Sequence, residues 1–147
     1  IRTGKASHTM QEDGEALYCY PRLPRDGEID WRRPAAELER LVRAANTPHP
    51  GAYSFFADVQ DGYRIKKMVI RRATVQDHPI SFCAVEGHLV RLDGGKRWGA
   101  VCGDGKLLIL QDIEIDGIRL SPPDHFKTVR QRLGLDTQTL LSAAGII

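Results

Sequence analysis

The residue types that most often carry out chemistry are spread along this 147-residue chain without a catalytic arrangement. No cysteine or histidine has the Cys-x-x-Cys or His-x-x-x-His spacing that typically forms a zinc site. No serine lies in the Gly-x-Ser-x-Gly setting of a hydrolase nucleophile. The glycine pairs fall between predicted strands, where turns explain them better than a phosphate-binding loop. The sequence therefore predicts neither a metal site nor a catalytic residue in this chain.

Basic residues are a stronger indication of binding. They form one group before the first predicted helix and a second group along a long predicted strand, and such side chains can neutralise phosphates. A tryptophan between basic residues and a glycine adds a ring that could stack on a base or a sugar. The candidate binding residues are Arg22, Arg25, Arg32, Arg33, Arg64, Lys66, Lys67, Arg71, Arg72 and Trp98.

A solvated charged face is the competing explanation for these residues. Acidic residues occur in the same regions, among them Asp26, Asp58, Asp61 and Glu114, and the formal net charge is only +2. A tRNA-binding domain usually has a larger basic excess. The charge balance therefore favours the solvated face over RNA binding.

The element that must position these residues is an amphipathic helix that starts near Pro34. Proline suits the first helical turn, where its missing N–H costs nothing. The helix must end before Pro48 and Pro50, because proline in a helix interior removes a backbone hydrogen bond. Apolar residues recur with helical spacing at Ala35, Leu38, Leu41, Val42 and Ala45. This stripe predicts a helix that packs on a sheet.

Short strands with glycine-containing turns make up most of the remaining sequence. Strands Tyr53–Val59 and Tyr63–Val75 are joined by an Asp61-Gly62 turn signal. The apolar residues of the longer strand change phase, which indicates a β-bulge near Lys66–Lys67. Further strands are predicted at Glu15–Tyr20, Ile80–Val85 with its partner His88–Leu92, Trp98–Cys102, Lys106–Ile115 and Ile118–Leu120.

Two helices are predicted after the last strand. The first runs from Ser121 to Gly134, with Phe126, Val129 and Leu133 as its apolar stripe. The second is a short helix within residues 135–147, capped by Asp136 or Thr137. Together the elements predict a mainly β protein with accessory helices, an α+β fold built on a small closed or half-closed antiparallel sheet.

Composition indicates a soluble, single-domain cytoplasmic protein. Apolar residues make up 41% of the chain and charged residues 27%, which is ordinary for a globular domain of this length. The three cysteines, Cys19, Cys83 and Cys102, are odd in number and far apart, which argues against a disulfide framework and fits a reducing cytosol. No apolar run approaches the ~20 residues of a membrane span.

An ordered set of short motifs extends from about Gln11 to about Gly117. Its members are Gln11, Ala16-Leu17-Tyr18, Ile29-Asp30-Trp31, Pro34-Ala35, Leu41-Val42-Arg43-Ala44, Pro50-Gly51-Ala52, Cys102-Gly103-Asp104-Gly105 and Leu107-Leu108-Ile109-Leu110. In this order and spacing the set resembles the C-terminal domain, with its preceding linker, of folate-dependent formyltransferases. That family includes methionyl-tRNA formyltransferase and the sugar N-formyltransferases.

The resemblance implies a division of the chain into three parts. Residues 1–28 correspond to a linker, residues 29–121 to a small OB-like antiparallel barrel and residues 122–147 to a C-terminal helical extension. The family's catalytic half is an N-terminal Rossmann-like domain with a His-x-Ser-Leu-Leu-Pro segment, which does not occur here. Asp136 lies in a Gly-Leu-Asp-Thr phrase similar to that of the family's catalytic aspartate, but a helix boundary explains the phrase fully. The first residue, an isoleucine, also suggests a fragment.

The function implied is that of the C-terminal domain of an N10-formyltetrahydrofolate-dependent formyltransferase. The domain would bind no cofactor itself and would help the missing N-terminal catalytic domain to position an amine acceptor. The wording of Tyr18–Pro24 and His49–Phe55, and the modest charge, favour an amino-sugar nucleotide over methionyl-tRNA as that acceptor. The alternative is a stand-alone OB-like RNA- or protein-binding module without catalysis.

Overall fold

One curled antiparallel sheet of six strands, a half-barrel, forms the body of the protein. The computed structural model describes residue 4, residues 9–78 and residues 83–147. The strands are β1 (Ala52–Asp58), β2 (Arg64–Gln76), β3 (Leu89–Leu92), β4 (Arg97–Val101), β5 (Leu107–Ile115) and β6 (Ile118–Leu120). Their order is β1-β2-β5-β4-β3, with β6 also paired to β5. The predicted α+β fold with an OB-like sheet is confirmed.

Strand β2 is long because it pairs with two neighbours in succession. Its first half pairs with β1 and its second half with β5. The register of the second pairing shifts around Arg72, between the buried residues Ile70 and Ala73. The bulge predicted near Lys66–Lys67 is therefore wrong in position, because pairing with β1 is regular there. At the observed irregularity, the successive inward-facing residues Ile70 and Ala73 are three positions apart, whereas a regular strand would place them two apart.

The predicted amphipathic helix is confirmed as α1 (Ala35–Ala44), with Pro34 as its N-cap residue. Leu38 and Val42 are buried in the core, and Leu41 packs against the core with part of its side chain exposed. Contacts of α1 with β2 and β5 hold it on the sheet. The helical spacing of apolar residues therefore identified both the element and its buried face.

The long helix predicted for Ser121–Gly134 is wrong. Only α2 (Pro122–His125) is helical there. An extended seam, defined here as residues 131–134, bridges the free edges of β1 and the β3 region. The Leu89 N–H donates to the Gln131 carbonyl at 3.0 Å, the Leu133 N–H to Gly87 at 2.8 Å and the Gly134 N–H to Phe55 at 2.8 Å. The backbone N–H and C=O groups of the seam form hydrogen bonds with two sheet edges. They therefore cannot form the hydrogen bonds of a helix.

The short helix predicted near the C-terminus is confirmed as α3 (Thr137–Ala143). Asp136 caps it, because its Oδ1 accepts the Thr139 N–H at 2.8 Å. This hydrogen bond holds the pKa of the Asp136 carboxyl below its usual value. The helix boundary therefore accounts for the Gly-Leu-Asp-Thr phrase as a capping site.

Three further strand predictions differ from the structure. Glu15–Tyr20 forms no strand; a 3-10 turn at Asp13–Glu15 is followed by mostly exposed chain outside any helix or strand. The connection between β1 and β2 is a 3-10 turn at Val59–Asp61 followed by Gly62 in the left-handed region, which is longer than the predicted two-residue turn. Residues 80–82 of the predicted strand Ile80–Val85 lie outside the described residues, and β3 pairs with β4 instead.

No helix among the described residues is long and apolar enough to cross a lipid bilayer.

The burial of α1 predicts unequal costs for two leucine truncations. Leu38 is 1% exposed, so Leu38→Ala should lower the free energy of unfolding by ~2–5 kcal/mol. Leu41→Ala should cost less, roughly 1–2 kcal/mol, because its side chain already contacts solvent. Urea unfolding of both variants measures the two losses. Equal losses would mean that α1 presents a different face to the sheet.

Candidate functional site

The candidate basic residues do not form one open positive surface, because most are paired with acids. Arg32 binds Asp30 through two hydrogen bonds of 2.8 Å, and Arg33 binds Glu37 at 2.8 Å. The bond to Arg32 holds the pKa of the Asp30 carboxyl below its usual value. Both arginines are largely exposed, so these pairs contribute little to stability but neutralise the charge locally.

The second basic group, on β2, is neutralised in the same way. The Lys66 ammonium lies 3.1 Å from carboxylate oxygens of Asp58 and Asp61, and Arg71 contacts Glu114 at 2.8 Å. The hydrogen bond to Asp61 raises the pKa of Lys66 in spite of partial burial. Arg64 lies 3.9 Å from Asp61. Thus five of the nine basic candidates have an acidic partner.

Four basic candidates keep their charge available. The Lys67 ammonium lies over the Tyr53 ring, 3.9 Å from its centroid, and stays exposed. Arg22 donates to the Asp26 carbonyl at 3.1 Å, which leaves its charge uncompensated. Arg25 and Arg72 are exposed and form no ion pair with any described residue. These four lie in two separate regions of the sequence, two before α1 and two on β2.

Trp98 is not available for stacking on a partner, so this candidate is corrected. Its side chain is 2% exposed, and its ring lies 6.0 Å from that of Phe126. Arg97 points outward and Trp98 inward because successive side chains of a strand alternate between faces. Arg97 therefore lies on the opposite side of the sheet from the indole.

The motif residues meet at a junction between the Asp30–Pro34 turn and the hairpin that joins β4 to β5. The Gly103 N–H donates to the Arg33 carbonyl at 3.1 Å. Asp104 Oδ1 accepts the N–H of Ala35 at 3.2 Å. A proline cannot cap a helix with its side chain, so a residue 69 positions away supplies the cap for α1. The hairpin motif thus orients the helix start.

The closest packing at this junction requires glycine at position 103. A Cβ atom there would lie 1.7 Å from the Arg32 carbonyl oxygen. The backbone of the hairpin and that of the Asp30–Pro34 turn therefore touch directly. No side chain fits between them.

A buried hydroxyl joins this junction to the seam. Ser54 Oγ accepts the indole N–H of Trp31 at 3.0 Å and the backbone N–H of Gly134 at 3.1 Å. It donates to the Phe55 carbonyl at 3.2 Å. Ser54 is 1% exposed, so the buried indole N–H of Trp31 depends on this hydroxyl for its hydrogen-bonding partner, while the Gly134 N–H shares its donation between Ser54 Oγ and the Phe55 carbonyl.

A groove of about 580 Å³ is lined by Trp31 and Gly134, the two residues that donate to this hydroxyl. Its apolar floor includes Trp31 and Leu133, and its charged rim includes Arg32, Glu86 and Arg132. Arg132 Nε donates to the Glu86 carbonyl at 3.0 Å, which leaves the rest of its guanidinium available. The groove can therefore recognise a polar or charged group by hydrogen bonding. Of the binding residues predicted from the sequence, only Arg32 lines this groove. The sequence analysis did not identify Glu86 and Arg132, because they are far apart in the sequence and no local pattern connects them.

A second buried charged cluster acts as a structural anchor. Asp58 is 1% exposed, and its Oδ2 lies 3.1 Å from both Lys66 Nζ and His125 Nε2. His125 also packs edge-on against the rings of Phe56 and Phe126. The cluster ties α2 to the end of β1. Among the described residues, no group of three or more histidine, cysteine or acidic side chains could hold a metal ion.

Comparison with protein-family models gives a match over residues 23–130 to the family described as formyl transferase, C-terminal domain. The matched region contains α1, all six strands and the junction of the Asp30–Pro34 turn with the 102–105 hairpin. It covers well over half of the chain.

The contact at Gly103 predicts a severe effect of the smallest possible substitution. Gly103→Ala should lower the free energy of unfolding by about 3 kcal/mol or more, because backbone must move to admit the methyl group. Gly14→Ala is the matched control, since no atom lies within 4 Å of the added Cβ. Thermal unfolding of both variants gives the comparison. Similar stabilities for the two would contradict the close packing of hairpin and turn.

The neighbouring thiol predicts a dependence of stability on alkaline pH. Burial, aided by the charge of Asp104, raises the pKa of Cys102 from 9.0 to about 12. The folded protein therefore keeps a proton that the unfolded chain releases above pH 9. The stability linked to this thiol is complete below pH 9 and is lost as the pH rises towards 12.

Replacing the thiol should remove this loss. Between about pH 8 and about pH 10.5, Cys102→Ala should lose roughly 1–2 kcal/mol less unfolding free energy than the unmodified chain. Cys83→Ala, at an exposed position, should follow the unmodified chain. Denaturant titrations at both pH values measure the difference. If all three proteins lose the same stability, the Cys102 thiol titrates freely.

Proposed function

We propose that this chain, which belongs to the family of formyl transferase C-terminal domains, serves an N10-formyltetrahydrofolate-dependent formyltransferase by positioning its amine acceptor. The family match over residues 23–130 is the observation that carries this proposal. The catalytic Rossmann-like half and the folate site belong to another part of the parent protein. Residues 1–28 link the two parts, residues 29–121 form the OB-like domain and residues 122–147 extend it.

The acceptor proposed is an amino-sugar nucleotide in preference to methionyl-tRNA. Binding to tRNA depends on many unpaired basic side chains that replace the counterions of the phosphates. The net charge is +2, and five of the nine basic candidates are paired with acids. A nucleotide-linked sugar carries only a diphosphate, which one or two arginines can bind. The charge distribution supports the smaller acceptor.

Arg22 and Arg25 are the proposed contacts to that diphosphate. Both are exposed, and neither is paired with an acidic side chain among the described residues. They lie just before the barrel, on the part of the chain proposed to lead to the catalytic half. A guanidinium placed there can approach an acceptor held between the two domains.

The first experiment is to measure the mass of the native protein in its own cells with an antibody against this chain. A product roughly twice 16.4 kDa or larger fits a two-domain enzyme. That product should formylate amino-sugar nucleotides with N10-formyltetrahydrofolate, and faster than methionyl-tRNA. A product of 16.4 kDa, without formylation, would reject the proposal and favour a stand-alone RNA- or protein-binding module. RNA affinity that falls steeply with salt would then identify RNA as its partner.

Variants of the parent protein test the proposed contacts. Arg22→Gln and Arg25→Gln should each raise the acceptor KM roughly tenfold, the effect of losing about 1.4 kcal/mol of binding. Arg40→Gln, at an exposed position of α1, is the matched control and should leave KM unchanged. If all three variants behave alike, these arginines do not touch the acceptor.

A further inference from the structure

The segment just before the matched domain exposes large apolar side chains side by side. Leu17, Tyr18 and Tyr20 are 90%, 80% and 93% exposed, respectively. We define residues 16–23 as the arm. In the domain body the rings of Trp31, Phe56, Trp98 and Phe126 are buried, and Tyr63, in the turn before β2, stands apart from them at 70% exposed. Contiguous exposed apolar side chains of this kind mark an interaction site.

The backbone of the arm has few hydrogen-bonding partners. It is extended at both ends, with φ −69° and ψ 127° at Ala16 and φ −96° and ψ 156° at Leu23. From Leu17 to Arg22 it makes no backbone hydrogen bond with any described residue. The arm is held at its base, where the Leu23 N–H donates to Asp26 Oδ2 at 2.7 Å. An extended segment with unpaired N–H and C=O groups is a strand without a sheet.

The residue order of the arm suits an added edge strand. In extended chain Tyr18 and Tyr20 share one face, while Leu17 and Cys19 share the other. Aromatic residues favour strands. Pro21 has no N–H to donate and is tolerated at a sheet edge. Main-chain hydrogen bonds would give such an arm affinity, and the alternate tyrosine rings would give it specificity.

We propose that the arm docks as an edge strand on the domain that precedes it in the parent formyltransferase, with Tyr18 and Tyr20 in apolar recesses of that domain. The inference rests on the proposed function, because it requires a preceding domain. A short tether gives the docking partner an effective concentration in the millimolar range, which a second copy of the chain does not have. The arm then fixes the orientation of the two domains and is more than a flexible spacer.

Cys19 provides a built-in probe of docking. It lies in the arm and is exposed in the 147-residue chain, as is Cys83 outside the arm. Iodoacetamide should alkylate both thiols rapidly in this chain. In the full-length protein isolated from its own cells, Cys19 should react at least about tenfold more slowly, while Cys83 serves as the internal reference. Amide hydrogen exchange at Leu17–Arg22 should slow by a similar factor.

Paired variants separate docking from general stability. In the full-length protein Tyr18→Ser with Tyr20→Ser should restore rapid alkylation of Cys19. Tyr63→Ser, at a turn tyrosine that is 70% exposed, should not. Hydrogen exchange in the barrel strands reports whether the double variant still folds. If it does and Cys19 stays protected, the tyrosines do not anchor the arm.

Three outcomes would overturn the proposal. Equal alkylation rates of Cys19 in the short chain and the full-length protein would mean that the arm stays free. Protection that appears in the short chain as its concentration rises would assign the arm to a second copy. Protection by an added protein partner but not in the full-length protein would assign it to that partner. The mass and formylation measurements test the proposed function separately, so an active two-domain enzyme with a free arm rejects only the docking.

Discussion

The rest of the structure depends on the hydrogen bonds of one buried hydroxyl. Ser54 holds the indole of Trp31 before α1 and the backbone of Gly134 in the seam, although 80 residues separate Ser54 and Gly134 in sequence. Because Ser54 is buried, loss of this hydroxyl would leave the Trp31 indole N–H without its partner, while the Gly134 N–H would keep its bond to the Phe55 carbonyl. Through it, β1 fixes both the entry of the chain into the domain and the segment that closes the sheet.

The family motifs work as packing and capping devices around that centre. Gly103 admits the carbonyl of Arg32 at a distance that no side chain allows, and Asp104 caps α1 from across the fold. These are contacts that hold geometry, and the catalytic groups of a formyltransferase have no counterpart among them. Such a construction agrees with the acceptor-positioning role that we propose for this domain.

Charge is distributed in agreement with that role. Lys66 and Arg71 of β2, and the two arginines of the Asp30–Pro34 turn, are matched by carboxylates within hydrogen-bonding distance. Lys67 and Arg72 of β2 have no ion-pair partner among the described residues, and two isolated charges attract polyanions only weakly. Unpaired arginines and exposed aromatic rings occur together in the segment before the barrel. The body thus provides a rigid framework, and the segment before the barrel carries exposed groups that can bind a partner.

Local sequence signals were sufficient for α1, α3 and the turns that join β4 to β5 and β5 to β6. Each of these elements is specified by residues within a few positions of one another: an apolar stripe, a capping aspartate or a glycine turn. They also located the motifs from Ile29 to Leu110, which lie within the family match over residues 23–130. The strand alternation that buries Trp98 is local as well, but the sheet face that becomes the core is chosen only by packing.

Tertiary structure alone decided the seam and the groove. Phe126 and Leu133 have helical spacing, yet residues 131–134 are extended because two distant sheet edges offer hydrogen bonds that a helix would forgo. Glu86, Arg132 and Arg32 become neighbours only after that closure. The ion pairs of Lys66 and Arg71 likewise depend on strand register. These contacts join residues that are far apart in the sequence, and their partners are fixed only by the register of the folded strands. A short window of sequence therefore cannot predict them.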